Sequence, residues 1–380
     1  MARYLLVVPA WPKNKSRHFN KNTPVGLLKI GAMLKAQGHE VRLVEDRVAD
    51  GWEPDEVWIT SLFTYWHEII WKNVAFYKFC WPKAKVVVGG IYASLMPDHA
   101  KLSGADEVFV GVHEGAERYD ADYSLLPYEL PYQFLHTSRG CFRKCKPCLV
   151  RYIEPNFTYK PVERIISEIN KNNVLDLSNN FLAHPQVHEL LESLADLRVN
   201  GKVVRFECQS GFDARILTPE LSEKLKKARF LNPRIAWDNS LTEGPTVKAA
   251  IDMFTSVGYS KKNIQVFTIY NQEIPFDVME EKRKQIRRWG VQIAHCRYRP
   301  QGQLVDRYDA HKKGQTAKDY YIHEGWTDKS IKAFSRSCRY QNILNRMMFT
   351  REEFDLSRFK AKGYNPPQHI LQEFGYVGGA

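Results

Sequence analysis

The chain opens on an apolar run, RYLLVV at residues 3–8, and after a polar, proline-containing stretch it continues as TPVGLLKIGAMLKAQGHE. In that second segment Val25, Leu28, Ile30 and Leu34 give a helical apolar face, Thr23 and Pro24 supply a cap and a first-turn proline, and Gly38 supplies a stop. VRLVED, DEVWITSL, a helical stretch ending in FYKFC, AKVVVGG and DEVFVGVHEG follow in turn. Strands that are apolar throughout are buried on both faces, and their alternation with helices predicts a parallel sheet covered on both sides. Ligands of such sheets sit beyond the carboxyl ends of the strands, which here read PAWPKNKS, SLFTYW, GGIYAS and GVHEGAE.

The stretch YDADYSLLPYELP has two prolines and little periodicity, and it places a domain boundary near residue 125. Beyond it the alternation restarts with YQFLHTS and runs through NVLDLS, VVRFECQS, RIAWDNS, NIQVFTIYN and VQIAHCRYRP, with amphipathic helical segments between. Six strand-helix units, the last without a clear closing helix, suit an open or partial barrel better than a closed one of eight, and barrel enzymes place their chemistry at the carboxyl ends of the strands. After RYRPQGQ the rhythm stops. WTDKSIKAFSRSCRYQNILNRMM reads as a helix capped by Thr327 or Asp328, with Ile331, Phe334, Cys338 and Ile343 or Leu344 on one face and Lys329, Lys332, Arg336, Arg339 and Arg346 mostly elsewhere. The expected division is therefore an α/β domain at 1–125, a barrel at 126–305 and a basic helical region at 306–380.

Composition changes this picture in three ways. No apolar run approaches the roughly 18 residues that a membrane helix needs. The chain has 7 cysteines in 380 residues, and Cys80, Cys208, Cys296 and Cys338 are scattered, which is not a disulfide framework and points to a reducing cytoplasm. The net charge of +12 is localised: residues 1–125 carry 15 Lys+Arg against 15 Asp+Glu, whereas residues 281–365 carry 20 against 9. A basic surface of that kind is the footprint of a partner with phosphates, or it is simply a solvated face.

The most specific chemistry lies at residues 136–150, HTSRGCFRKCKPCLV, where Cys141, Cys145 and Cys148 fall on the loop after the first barrel strand. A structural zinc site takes four protein ligands, and His136 is the available fourth if the strand turns back. The other reading is a 4Fe-4S cluster, which normally takes four thiolates, so that three leave one iron open.

Cys141-x3-Cys145-x2-Cys148 in this position resembles the signature of the radical S-adenosylmethionine (radical SAM) enzymes. The resemblance implies a 4Fe-4S cluster whose open iron chelates the amino and carboxylate groups of SAM. It also implies one-electron cleavage to a 5′-deoxyadenosyl radical and an electron donor such as flavodoxin or ferredoxin. The family often has an aromatic residue before the last cysteine, where this chain has Pro147, and a Gly-Gly-Glu motif ending the second barrel strand, where this chain reads DLSNNFLA. Asn179 and Asn180 occupy that place, or they form an ordinary turn. Gln209, Asp238 and Asn239, with Glu207, Asp213 and Arg215, end the third and fourth strands and are the further candidates for SAM or substrate, Asp213 and Arg215 being also readable as an ion pair. Tyr270, Asn271, His295 and Tyr298 are expected to face the barrel interior.

With GLLKIGAMLKAQGHEVRLVED, VVVGGIYASLMPD and GVHEGAE ahead of the barrel, the chain resembles the cobalamin-binding subgroup of that family over about residues 1–300. This implies a Rossmann-like, cobalamin-binding-type domain before a partial (β/α)6 barrel, with Gly89, Gly90 and Ser94 letting a corrinoid approach and Thr64, Tyr65 and Trp66 lying against it. Asp-x-His-x-x-G is absent, so no histidine is expected to ligate cobalt from below. Three functions follow as alternatives: cobalamin-dependent methylation of an unactivated carbon, cobalamin-independent radical chemistry on RNA or another anionic substrate, and a non-enzymatic protein that binds zinc and nucleic acid.

Overall fold

The structure is a computed structural model that describes residues 1–12, 23–143, 145–348 and 363–375. Of the expected strand ends, PAWPKNKS lies outside the described residues from position 13 on. Among the described residues no helix is long and apolar enough to cross a membrane. The chain forms two compact units, one of Met1–Pro131, Gly140–Phe157 and Pro300–Asp306, the other of Tyr132–Arg139, Thr158–Arg299 and Arg307–Ala380.

The first unit holds strands β1 (Arg3–Val8), β2 (Glu40–Glu45), β3 (Glu56–Ser61), β4 (Lys85–Gly90) and β5 (Glu107–Val108). All are parallel, in the order β2-β1-β3-β4-β5. Helices α1 (Val25–Ala36), α2 (His67–Cys80), α3 (Ile91–Leu95) and α4 (Pro97–Lys101) connect them, and α5 (Val150–Ile153) comes from the cysteine segment. Two apolar clusters flank the sheet, one around Leu5, Val57, Ile59, Val86 and Val88, the other around Leu6, Val8, Leu27 and Leu34. That two-sided burial is why β1 and β4 read as unbroken apolar runs. In this strand order the chain reverses direction across the sheet between β1 and β3, which opens a ligand crevice at their carboxyl ends.

The second unit holds β6 (Gln133–Leu135), β9 (Asn173–Asp176) and β12 (Arg205–Cys208) in one parallel sheet, and β13 (Arg234–Ala236), β14 (Gln265–Tyr270) and β15 (Gln292–Arg297) in another. Single parallel bridges, Phe206 to Phe230 and Phe212 to Ile235, join β12 to β13, so the six run in sequence order. Short antiparallel pairs add β7 (Ser138–Arg139) with β8 (Thr158–Tyr159), and β10 (Arg198–Val199) with β11 (Lys202–Val203). The last is a two-residue hairpin with Asn200 and Gly201 both at positive φ, and the Asn-Gly pair is its sequence signal. Helices α6 (Val162–Glu168), α7 (Val187–Asp196), α8 (Pro219–Lys227), α9 (Gly244–Ser256) and α10 (Phe276–Trp289) follow successive strands, then α11 (Asp328–Met348) and α12 (Gln368–Glu373).

The division differs from the one the sequence suggests. The first boundary falls after Pro131, and the segment beyond 306 shares the second unit's core through Ile331, Phe334 and Cys338. The physical reason is the open edge of β15, whose unpaired backbone groups need cover. Asn342 of α11 supplies it by accepting from the Ile293 N–H (2.8 Å) and donating to the Ile293 carbonyl (2.7 Å), and Asn345 donates to the Val291 carbonyl (2.8 Å). Arg283, fully buried on α10, binds Glu280, Gln341 and Glu373 and so ties α10, α11 and α12 together. α11 begins where expected, with the Thr327 hydroxyl accepting from the Ser330 N–H (3.1 Å).

Candidate functional site

The cysteine segment leaves β7 at Gly140, whose φ of +69° is in the left-handed region. A Cβ there would stand 2.1 Å from the Asn156 carbonyl oxygen, so the segment's two ends approach as only glycine allows. The Gly140 N–H donates to Glu154 Oε2 at 2.8 Å, which closes the segment at its base. Between these ends the described backbone runs through turns into α5, with Cys148 N–H donating to the Cys145 carbonyl (3.1 Å) and Arg143 N–H to Cys141 Sγ (3.4 Å). None of the three cysteines is in a disulfide, and all three are half-buried; Cys80, Cys208, Cys296 and Cys338 form no disulfide either. Among the described residues no three His, Cys, Asp or Glu side chains are gathered closely enough to hold a metal as they stand.

The strand that leads into this segment is pinned within the second unit. Ser178 Oγ accepts from the Thr137 N–H (2.8 Å), lies 2.9 Å from the Thr137 hydroxyl and donates to Asp176 Oδ1 (2.5 Å). Asp176 ends β9 almost fully buried, with no partner for its other oxygen, and burial pushes its carboxyl up to about 6. Cys208, its register neighbour on β12, is buried with it, and its thiol is pushed up by burial and by the Asp176 charge.

Of the residues expected at the second unit's strand ends, Asn179 and Asn180 follow β9 directly, Asn180 being buried. Gln209 follows β12, donates to Glu207 Oε1 (3.2 Å), and joins a cluster in which Glu207 pairs with Arg234. Asp213 and Arg215 form a two-point ion pair, at 2.7 and 3.1 Å. Asp238 follows β13, where burial raises its carboxyl to about 6 and leaves Oδ1 unpartnered. Lys282 reaches the same strand end from α10, donating to the Trp237 carbonyl (3.2 Å) and the Asn239 carbonyl, and burial lowers it to about 8 against the pull of Asp238. Asn239 donates to Glu243 Oε1 (2.8 Å). Lys282 was not legible as a site residue, since it sits in the charge-rich run EEKRKQIRR with nothing to set it apart.

Two of the residues expected to face the barrel interior are covered by α11. Tyr270 and His295 pack against Phe334 of α11, Tyr270 also against Trp326, and His295 Nε2 lies 3.0 Å from Ser335 Oγ. Burial and the Arg339 charge depress His295 to about 4. Asn271 is fixed by the Tyr321 carbonyl and the His323 N–H, and Tyr298 packs edge-on to Tyr321. Strand alternation defines two faces, but the cover that α11 gives one of them is a tertiary fact.

In the first unit the glycines and hydroxyls have partners within the protein. Gly90 has φ +96°, and a Cβ on it would meet the Ser61 carbonyl oxygen at 2.3 Å, so the β3–β4 approach itself requires glycine there. Gly89 is unconstrained by comparison, the nearest atom to an added Cβ being that of Phe109 at 3.7 Å. Ser94 donates to the Gly90 carbonyl (2.8 Å) and accepts from the Gly111 N–H (2.9 Å), and Thr64 donates to the Gln303 carbonyl (2.6 Å). What stands at the β1/β3 crevice is aromatic: Trp11 stacks on Trp66 (5.3 Å between centroids) and Phe63 on Tyr65 (5.1 Å), and Phe63 is 43% exposed.

Known protein families and curated proteins contain no match to the chain. Solved structures do. Two structures of the radical S-adenosylmethionine methyltransferase TsrM from Kitasatospora setae match it with a TM-score of 0.60 at 13% identity. The one with cobalamin and a 4Fe-4S cluster bound aligns over 80% of this chain and 77% of that one. The one with tryptophan and the SAM analogue aza-SAM bound aligns over 80% and 75%. This chain shares the α/β fold of those two structures.

Proposed function

We propose that the protein is a radical SAM methyltransferase that uses cobalamin to methylate an unactivated carbon of its substrate. The observation that supports this most strongly is the three-cysteine segment, set between β7 and β8 of a chain with the TsrM fold. In this reading the five parallel strands are a Rossmann-like cobalamin-binding-type domain, and the six strands from β6 to β15 are the wall of a partial (β/α)6 barrel.

The donor set suits the groups. Three cysteines outside any disulfide on one short segment are what a 4Fe-4S cluster with one open iron takes, and Arg143 N–H already points at one of those sulfurs, the kind of bond that tunes a cluster's potential. Half-exposed stacked rings at a parallel-sheet crevice suit a flat macrocycle. When bound, the cluster with SAM supplies a hydrogen-abstracting radical and the corrinoid supplies a methyl group. The chain's own part is to bind and orient. Cys141, Cys145 and Cys148 hold the cluster, Asn179, Asn180, Gln209, Asp238 and Asn239 offer polar contacts to SAM or substrate, and Phe63, Tyr65 and Trp66, with backbone at Gly89, Gly90, Thr64 and Ser94, bed the corrinoid. Asp238 Oδ1, near 6 and beside Lys282 near 8, can hold or accept a proton at neutral pH. A small protein electron donor of the flavodoxin or ferredoxin type supplies the electron.

The corrinoid is tested by adding hydroxocobalamin anaerobically, removing the excess and measuring cobalt. About one cobalt per chain is expected. A Phe63→Ala/Tyr65→Ala variant is expected to lose most of it while keeping its iron. No retention by the parent chain would remove cobalamin from the account and leave radical SAM chemistry without it.

A further inference from the structure

Part of the C-terminal cationic surplus is spent inside the second unit, and α11 carries a part that is not. Arg283 and Arg287 meet Glu373, Arg288 meets Glu281, and Lys332 is held by Asp328 with little of it exposed. Asp328 is the sole acid of α11. That leaves Lys329, Arg336, Arg339 and Arg346 exposed on the helix. Their separations of 7, 3 and 7 positions place them along one side, over about 25 Å at 1.5 Å per residue. None has an ion-pair partner among the described residues; Arg336 and Arg339 lie against the Tyr340 ring, and Arg336 donates to the Asn365 carbonyl.

The last of these cations, Arg346, also lines a cavity of about 300 Å³ between α11 and β15. Beside it are two glutamines that are register neighbours on β14 and β15, Gln265 and Gln292. Gln292 is 2% exposed, yet neither its Nε2 nor its Oε1 has a partner. A buried primary amide left with an open donor and an open acceptor is costly, and it matches the paired donor and acceptor on the edge of a nucleobase.

We propose that this side of α11 is a docking surface for single-stranded RNA, with phosphates along Lys329, Arg336, Arg339 and Arg346 and one base seated in the cavity against Gln292. A cavity can take a base only if it is unstacked, which selects a single strand, and the amides of Gln265 and Gln292 can bond a ribose 2′-hydroxyl, which selects RNA. An acidic protein would meet the same cations, and competition by polyglutamate separates it from RNA.

The test uses the full chain and a fluorescent single-stranded RNA of about 12 nucleotides, followed by anisotropy at several salt concentrations. Affinity is expected to fall with salt with a logarithmic slope of about −3, the value for about four neutralised phosphates on a single strand. A Lys329→Glu/Arg339→Glu/Arg346→Glu variant, with an unchanged melting curve, is expected to bind at least about tenfold more weakly and with a flatter slope. Gln292→Leu is expected to keep the slope and lose the preference among the four homopolymers. Absent or salt-insensitive binding, equal binding by the charge-reversed variant, equal binding of DNA of the same sequence, or displacement of RNA by polyglutamate at matched charge would overturn the proposal. Unchanged base preference in Gln292→Leu would remove the cavity from it and assign Gln292 a buried water. Binding here needs no cluster, corrinoid or SAM, so these outcomes leave the radical SAM reading standing or falling on its own.

Discussion

A Cys141→Ala/Cys145→Ala/Cys148→Ala variant is expected to fold normally and to take up no iron on anaerobic reconstitution, against about four irons per chain in the parent. The loss should be complete because all the protein ligands of one cluster lie on a single segment, and among the described residues no group of three His, Cys, Asp or Glu is gathered that could substitute. Folding should survive because none of the buried apolar clusters of either unit draws a residue from 140–157. Single replacements at Cys80, Cys208, Cys296 or Cys338 should leave the iron content unchanged. Cys208 and Cys338 are buried, so their replacement should show in the melting temperature and not in the iron. The variant is read by iron analysis beside circular dichroism, and about four irons in the triple variant would end the assignment.

Gly140→Ala is expected to have nearly as large an effect through geometry alone. The new methyl would stand 2.1 Å from the Asn156 oxygen, 2.7 Å from its carbon and 2.9 Å from the Glu154 oxygen, all backbone, so either Gly140 or the 154–156 backbone must move. Cys141 is the next residue and moves with it. The strained φ and the overpacking together cost about 2–4 kcal/mol. The melting temperature should therefore drop by several degrees, and iron uptake by well over half. Gly38→Ala is the control: it has φ +83° and nothing within 4 Å of the added Cβ, so it carries the backbone cost of about 1 kcal/mol without the clash. Equal effects of the two substitutions on iron would show that Gly140 does not position the cysteines.

What the sequence made legible follows from which forces are local. β1 and β4 were readable because burial on both faces leaves an unbroken apolar run. The cysteine segment was readable because its sulfurs are neighbours in sequence. β5 was not: DEVFVGVHEG looks like a full strand, but only Glu107 and Val108 pair, and Phe109 turns to stack on His113 at 5.2 Å. The reason for Gly90 was hidden because the atom it avoids, the Ser61 carbonyl, is 29 positions away in the chain. Tyr270 and His295 alternate as strand residues do, but which face α11 covers depends on Asn342 and Asn345 reaching the β15 edge, and periodicity carries no record of that. The raised carboxyls of Asp176 and Asp238 are likewise products of burial, not of neighbours in sequence.

The central claim is that the three cysteines hold a cluster with an iron left open for SAM. Electron paramagnetic resonance of the anaerobically reconstituted, reduced chain, recorded with and without SAM, tests it most directly. The account predicts a 4Fe-4S signal whose g-values shift when SAM is added, and neither signal nor shift in the triple alanine variant. A chain that takes up zinc in place of iron, or a cluster signal that SAM leaves unmoved, would contradict it.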